Sequence, residues 1–150
     1  DTLLEGAHHG MLCDAGIAFV GTTRAGIGEQ PAVVGTRHPF MHAGIPAMDA
    51  DNLRNGATVM ARLEAHPGSV RMLSGHVHRA VTGQIGLVNC QIASATCHAV
   101  LTDHRDGPEP CLVLEPGAVT VHRWLDQPGA GMVSDVIPSG DFPGPWPFQD

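Results

Sequence analysis

The sequence predicts an α/β fold, and three observations lead to that prediction. Two short apolar runs, residues 31–36 and 70–73, have the length and composition of buried strands. The segment between them carries apolar residues at helical spacing, so the three pieces make a strand–helix–strand unit. Beyond residue 80, short runs in which polar and apolar residues alternate indicate further strands.

Composition narrows the class of protein and of partner. The chain of 150 residues fits one domain, and its hydrophobic fraction of 43% is enough for a core without a run that could span a membrane. The net charge of −7, with 8 arginines and no lysine, gives no basic face for a nucleic-acid backbone. We therefore expect no nucleic-acid and no membrane partner, and any anionic ligand must be attracted locally.

The cysteines predict a reducing compartment. Cys13, Cys90, Cys97 and Cys111 lack the spacing of a zinc ribbon and, without a signal peptide, are expected to be reduced thiols in a cytoplasmic protein. Cys97 beside His98 suggests a nucleophile, but a small buried cysteine is the commoner case and is preferred. The chain begins at Asp1 and not at methionine, which is expected of a fragment.

The first third of the chain predicts one helix and two strand segments. Residues 1–4 are expected to end a strand, and residues 5–10 to form a polar loop. Asp14 is predicted to cap a helix that runs to about residue 24. Glycines within that helix lower its propensity, so it must depend on packing. The strand at residues 31–36 then places Arg37 and His38 at its carboxyl end, where open α/β sheets place their sites.

The middle of the chain completes the unit. After a loop rich in proline and glycine at residues 39–51, a helix is predicted from Asp51 or Asn52 to about residue 65. Its proposed apolar face is Leu53, Ala57, Met60 and Leu63.

The second strand of the unit ends in a pair of histidines. Residues 70–73 form this strand, and because parallel strands end at one edge of a sheet, residues 37 and 76 should lie close together. On an extended backbone His76 and His78 would point the same way and could bind one metal or two adjacent ones. Chance is the alternative in a chain with 10 histidines.

The last part of the chain predicts short strands and a tail. Strands are expected at residues 80–84 and 87–92, and a hairpin at 111–115 and 118–125 across Pro116-Gly117. Residues 126–150, which contain five prolines, are predicted to be a tail packed on a domain formed by residues 1–125. Its proposed anchors are Phe142, Trp146 and Phe148.

Four segments together carry a resemblance to a known family. The run GHVHR at residues 75–79 resembles the GHxH motif of the calcineurin-like metallophosphoesterases, in the branch of cyclic nucleotide phosphodiesterases and glycerophosphodiesterases. Residues 37–40 (RHPF), followed by Gly44 and Asp49, resemble the family pattern HHPP…G…MD, and residues 95–98 and 144–146 match further downstream. No D-x-H and no G-N-H-D/E motif is present, so the resemblance covers only the second half of the family domain. It implies the C-terminal half of a four-layer α/β/β/α sandwich.

The resemblance also implies a chemistry. In the family, two divalent metal ions (Fe, Mn, Zn or Co) share a bridging hydroxide that attacks phosphorus. By resemblance, His78 binds the first metal and His76 the second. His98 lies near the substrate phosphate as a catalytic and substrate-binding residue, unless it is simply a core histidine.

Arg37 departs from the family pattern, because a metal-binding histidine is expected at its position. Arginine is always charged and cannot bind a cation. Three alternatives follow: His38 takes the metal role, the second metal is weakened, or Arg37 contacts the substrate phosphate.

Three functions are compatible with the sequence. The first is a fragment of a metal-dependent phosphodiesterase for small molecules, inactive without its other half. The second is a degenerate homologue that binds without catalysis. The third is a structural or oligomerisation module. We take the first as the hypothesis, and we expect a homo-oligomer because half a sandwich exposes apolar surface.

Overall fold

The structure is a computed structural model that describes residues 1–148. Within these residues it has three helices and eight strands. The helices are α1 (Asp14–Ile27), α2 (Pro46–Asp49) and α3 (Gly56–Glu64). The strands are β1 (Ala32–Gly35), β2 (Val70–Ser74), β3 (Val81–Ile85), β4 (Val88–Ile92), β5 (Ala99–Val100), β6 (Leu112–Val113), β7 (Ala118–Leu125) and β8 (Gly131–Pro138).

A four-stranded sheet in the order β1-β2-β4-β3 forms the centre of the fold. β1, β2 and β4 are parallel, and β3 pairs with β4 in an antiparallel hairpin. Gly86, with a φ of 54°, lies in the turn of that hairpin, in a backbone conformation that glycine adopts without steric cost. The predicted mixed α/β fold and its strand–helix–strand unit are therefore confirmed.

The core lies between this sheet and α3. Val59, Met60 and Leu63 of α3 are buried together with Met72, Val88 and Ile92 of the sheet. The predicted face of the helix is partly wrong: Leu53 is buried but precedes α3, while Ala57 is exposed. The helix begins at Gly56 with Asn55 at its N-cap, and not at residue 51 or 52. Residues 46–49 instead form the short helix α2, whose first residue is Pro46, a favoured N1 residue.

The N-terminal region differs from the prediction in two respects. Residues 1–4 contain no strand. The N-cap of α1 is Cys13, Asp14 is the first helical residue, and the helix continues to Ile27. No residue of α1 is fully buried, and the helix contacts the core through Ile17 and Val20. The expectation that this glycine-containing helix depends on packing agrees with those contacts.

The strand pairing after residue 99 is also different from the prediction. β7 pairs with β8, and β6 pairs with β5, so residues 111–115 and 118–125 do not form a hairpin. Gly117 does not connect a paired hairpin; it lies against the backbone of Thr96 with no room for a Cβ atom, which explains the glycine at this position. The adjacent Ala118 donates its N–H to the carbonyl of Ala95 at 3.0 Å, which ties this corner to the loop before β5.

The predicted tail contains a strand. Residues 131–138 are β8, so the prediction of little regular structure after residue 125 is wrong there. The proposed anchors are wrong as well, since Phe142, Trp146 and Phe148 are exposed by 59%, 73% and 103%. Residues 149 and 150 of the predicted tail lie outside the described residues.

Arg71 joins the β7–β8 hairpin to the central sheet. Its Nη1 donates to Ser134 Oγ at 2.7 Å and its Nη2 to the Met132 carbonyl at 3.1 Å.

None of the helices in residues 1–148 is long and apolar enough to cross a membrane.

Candidate functional site

The carboxyl ends of β1 and β2 bring two loops together. The strands are in parallel register, with Gly35 opposite Leu73, so their following residues leave the sheet side by side. The Gly75 N–H donates to the Arg37 carbonyl at 3.1 Å and joins the two loops. The expected proximity of residues 37 and 76 is therefore present, and it follows from strand order alone.

The backbone at the two histidines is not extended. His76 and His78 have φ values of 70° and 56°, in the left-handed region, which costs about 1–3 kcal/mol for each residue that is not glycine. Val77 between them is fully buried in the core and holds this turn in place. As a result the two imidazoles have different neighbours: His76 lies beside His38 and His78 beside His98, with ring centroids 4.9 and 4.6 Å apart.

His38 is the most enclosed of the four imidazoles, with 1% of its surface exposed. Its Nε2 donates to the His8 carbonyl at 3.1 Å. In that tautomer its Nδ1 accepts from the Thr2 hydroxyl at 2.9 Å. Burial, the main cause, lowers the pKa of His38 and keeps the ring neutral. Both nitrogens are therefore in use, and His38 has no free lone pair for a metal.

His76 presents the opposite case. Its Nε2 is buried and has no hydrogen-bond partner in the described part of the chain. A buried polar atom without a partner costs about 1–3 kcal/mol, so a ligand that contacts this nitrogen would recover that cost. Burial lowers the pKa of His76, and the neighbouring His38 and Arg37 lower it further. The ring is consequently neutral, with one nitrogen able to bind a metal or to donate to an anion.

His78, His98 and Cys97 form a short chain of contacts. His78 Nδ1 lies 3.0 Å from His98 Nε2, and His98 Nδ1 lies 3.2 Å from Cys97 Sγ. Burial, His98 and Arg37, in that order, lower the pKa of His78. Sequence reasoning missed this role of Cys97, because it favoured a buried thiol and the residue is exposed. The position of Cys97 next to His98 in the sequence was the signal that could have predicted this contact.

Arg37 supplies the positive charge of the cluster. It is exposed, and its guanidinium makes no hydrogen bond or ion pair with any residue in the range 1–148. Its charge lowers the pKa of His38, His76 and His78. Asp51 acts in the opposite direction on His38 and His76, but less strongly. The cluster is thus locally positive in a chain whose net charge is −7.

The described residues fit a metal only in part. The neutral imidazoles of His76 and His78 are of the type that binds divalent transition metals. However, no group of three or more histidine, cysteine, aspartate or glutamate side chains in residues 1–148 is placed to hold a metal ion. A complete metal centre is therefore not formed by these residues alone.

A long apolar groove of about 970 Å³ begins beside the cluster. It runs between α1 and β1, and Arg37 and Ser74 lie at the end next to the histidines. Its apolar lining includes Phe19, Val33 and Leu73. Phe19 and Val33 are exposed by 69% and 55%, so the apolar side chains of the groove are open to solvent in the described residues.

Comparison with known proteins adds a relationship to this geometry. No protein-family model matches the chain. A probable glycerophosphodiester phosphodiesterase GpdQ of Arcobacter nitrofigilis is 28% identical over 151 residues, covering all of this chain and 55% of that protein. The glycerophosphodiester phosphodiesterase GpdQ of Enterobacter lignolyticus is 29% identical over 150 residues, covering 100% of this chain and 52% of that protein. The chain is a relative of the metallophosphoesterases.

This relationship confirms the resemblance on which the sequence interpretation depends. It concerns the C-terminal half of a metallophosphoesterase, since the chain spans about half the length of the curated relatives it matches. The structure brings the four predicted histidines and Arg37 to one edge of the sheet. The individual roles of these residues stay predictions.

Proposed function

We propose that this chain carries the C-terminal half of a metal-dependent phosphodiesterase that acts on small phosphodiesters of the glycerophosphodiester or cyclic nucleotide type. One observation carries the proposal: His38, His76, His78 and His98 gather beside Arg37 where β1 and β2 end. The similarity to two proteins named glycerophosphodiester phosphodiesterase also supports it.

The proposed setting is a four-layer α/β/β/α sandwich. In this proposal residues 1–125 form half of it, and the segment from residue 126 to 148 packs on that half. The apolar groove beside α1 supports the proposal, because it offers a surface on which further layers could pack. Arg71, which bonds β8 to β2, supports the packing of the C-terminal segment on the sheet.

We assign His78 to the first metal ion. His76 is the candidate ligand of a second metal, and its unpartnered Nε2 is equally suited to contact an anion instead. The sequence also suggested His38 as a metal ligand, but its two ring nitrogens bond Thr2 and the His8 carbonyl, which supports a structural role for this residue. The remaining ligands of a site for two divalent ions (Fe, Mn, Zn or Co) would come from outside this chain. When bound, such ions supply an activated hydroxide and neutralise charge on the phosphoryl oxygens.

The residues of this chain then bind and orient the substrate. The Arg37 guanidinium has no partner among the described residues and is free to contact a phosphoryl oxygen. His98 would hydrogen-bond a second oxygen or protonate the leaving alkoxide through Nδ1. That role requires release of the 3.2 Å contact to Cys97, a weak partner for an imidazole. His98 Nε2 meanwhile keeps His78 oriented.

A second candidate function is binding without catalysis, and the incomplete metal site with Arg37 beside it favours this alternative. The chain would then act as a binding or oligomerisation module. The β7–β8 hairpin supports self-association, because Val119, Val121, Val136 and Ile137 are exposed by 38–48%. We propose a homo-oligomer in the cytoplasm under either function, with sedimentation as the test of assembly.

The test of function is turnover by the full-length protein that carries this chain. Hydrolysis of bis(p-nitrophenyl) phosphate and of glycerophosphocholine is measured with each of the four metals after removal of bound metal. We expect turnover that requires metal and is lost in His78→Ala, and no turnover from the 150-residue chain alone. A full-length protein that is folded, binds metal and hydrolyses neither diester would overturn the proposal in favour of binding without catalysis.

A further inference from the structure

Arg37 is the feature of the cluster that the family pattern leaves unexplained. It follows β1 directly and is held at the site by its own carbonyl, which accepts the Gly75 N–H at 3.1 Å. Its guanidinium is near enough to His76 and His78 to lower the pKa of both rings. A permanent positive charge therefore lies near His76 and His78, at the sequence position where the resemblance expects a ligand of the second metal.

The structure also removes one of the alternatives for this position. His38 could replace the expected metal ligand only if a ring nitrogen were free. Both nitrogens are engaged, with the His8 carbonyl and the Thr2 hydroxyl, and the ring is almost fully buried. His38 is thus a structural residue, and the second position keeps one unengaged imidazole, His76, beside a guanidinium.

We infer that Arg37 and His76 form a metal-independent anion site that binds the phosphoryl group of the substrate in place of a second metal ion. This inference rests on the proposed function for the identity of the anion. The site itself rests on the charge of Arg37 and on His76 Nε2, which is buried without a partner.

The chemistry of the two side chains specifies the ligand. A guanidinium presents parallel N–H donors that match two oxygens of one phosphoryl group. A phosphodiester monoanion has two non-bridging oxygens, so Arg37 can contact both. His76 in its Nε2–H tautomer would add a third donor once its ring turns to expose Nε2, which is buried without a partner in the unbound structure, and this contact would satisfy that nitrogen. Neither residue needs a metal for this contact.

The test is anion binding by the full-length protein after removal of metal with EDTA. Dimethyl phosphate is titrated while the ¹⁵N signals of the histidine side chains are recorded. We expect the His76 signals to shift on binding, and Arg37→Gln to weaken binding by about 10–100-fold, as loss of a charge-assisted pair implies. Arg62→Gln is the matched control, since Arg62 is an exposed arginine in the last turn of α3, at the opposite edge of the sheet.

A second variant separates the anion site from the metal site. Arg37→His removes the permanent charge and restores the expected imidazole, so it should bind Mn²⁺ or Zn²⁺ more tightly than wild type and lose metal-free binding of dimethyl phosphate. Arg37→Lys keeps the positive charge but lacks the parallel N–H donors of a guanidinium. It should bind dimethyl phosphate with an affinity between those of wild type and Arg37→Gln. These two variants also test the inference should Arg37→Gln fail to fold.

Two outcomes would overturn the inference. They are metal-free binding of dimethyl phosphate that is equal in wild type, Arg37→Gln and Arg37→His, or no such binding by folded wild-type protein. Phosphodiester turnover is measured on the same samples and decides separately on the proposed function. Anion binding that depends on Arg37 without turnover contradicts the function alone, and turnover with Arg37-independent binding contradicts this inference alone.

Discussion

His78 Nδ1 lies 3.0 Å from His98 Nε2, and the two residues are 20 positions apart in the sequence. The contact joins the turn after β2 to the loop before β5. If His78 Nδ1 carries the hydrogen and donates it to His98, the Nε2 lone pair of His78 is left for a metal. His98 then acts on a metal through His78, in addition to any contact with substrate.

The first prediction concerns this contact. We expect His98→Ala to weaken binding of Zn²⁺ or Mn²⁺ by about 10–100-fold, because His78 loses the partner that fixes its ring and tautomer. Calorimetric metal titration measures the change. His122→Ala is the control, since His122 bonds Ser134 on the β7–β8 hairpin. Equal metal affinity in wild type and His98→Ala would show that His98 does not orient His78.

The second prediction concerns stability and pH in the metal-free protein. Burial is the largest cause that lowers the pKa of His38, His76 and His78 below 6.5. As pH falls below that value the unfolded chain takes up protons before the folded chain does. The free energy of unfolding should therefore be highest above pH 6.5 and should fall as the pH decreases through the lowered pKa values.

Urea unfolding in EDTA from about pH 8 to about pH 5 measures this dependence. His78→Gln removes one of the three titrating imidazoles. The free energy of unfolding of this variant should therefore decrease less steeply toward acid pH than that of wild type. A free energy of unfolding that stays constant or rises toward acid pH would contradict the assignment of three neutral imidazoles.

The sequence predicted those parts of the site that depend on local signals. The runs at residues 31–36 and 70–73 are apolar, and a helix lies between them, so parallel pairing followed from chain connectivity. Parallel pairing in turn placed Arg37 beside the Gly75-His76 turn. The α/β class, and the edge of the sheet that carries the cluster, could therefore be predicted from the sequence alone.

The parts that the sequence did not predict depend on distant contacts. The left-handed backbone at His76 and His78 arises because Val77 must enter the core, and no local pattern encodes that burial. His38 is engaged by Thr2, a residue 36 positions away. The alternation in residues 118–125 correctly indicated a strand, but alternation does not select a partner, and β8 was the partner.

The third prediction concerns the thiols. All four cysteines are free, and Cys90 is buried while Cys13, Cys97 and Cys111 are exposed. Burial also raises the pKa of the Cys90 thiol, which disfavours the reactive thiolate. We expect the three exposed thiols of the native protein to react rapidly with a disulfide reagent, and the fourth only after unfolding in urea. Four rapid reactions in native protein would place Cys90 at the surface.

The fourth prediction concerns the packing that fixes His38. Gly10 lies so close to the His38 ring that an added Cβ atom would overlap it. Gly10→Ala must displace the ring and its bonds to Thr2 and the His8 carbonyl, so we expect a loss of about 1–3 kcal/mol in the free energy of unfolding. Gly26→Ala is the matched control, because Gly26 lies within α1 with no atom near the new methyl group.

Gly26→Ala should leave stability unchanged or raise it by about 0.5–1 kcal/mol, since alanine favours a helix over glycine. Urea unfolding of both variants at one pH gives the comparison. Thr2→Val separates steric displacement from the lost hydrogen bond: it removes the hydroxyl that meets His38 Nδ1, at a cost of about 1 kcal/mol, and leaves the ring in place. If Gly10→Ala were as stable as Gly26→Ala, His38 would be free to move, and its exclusion as a metal ligand would fail with it.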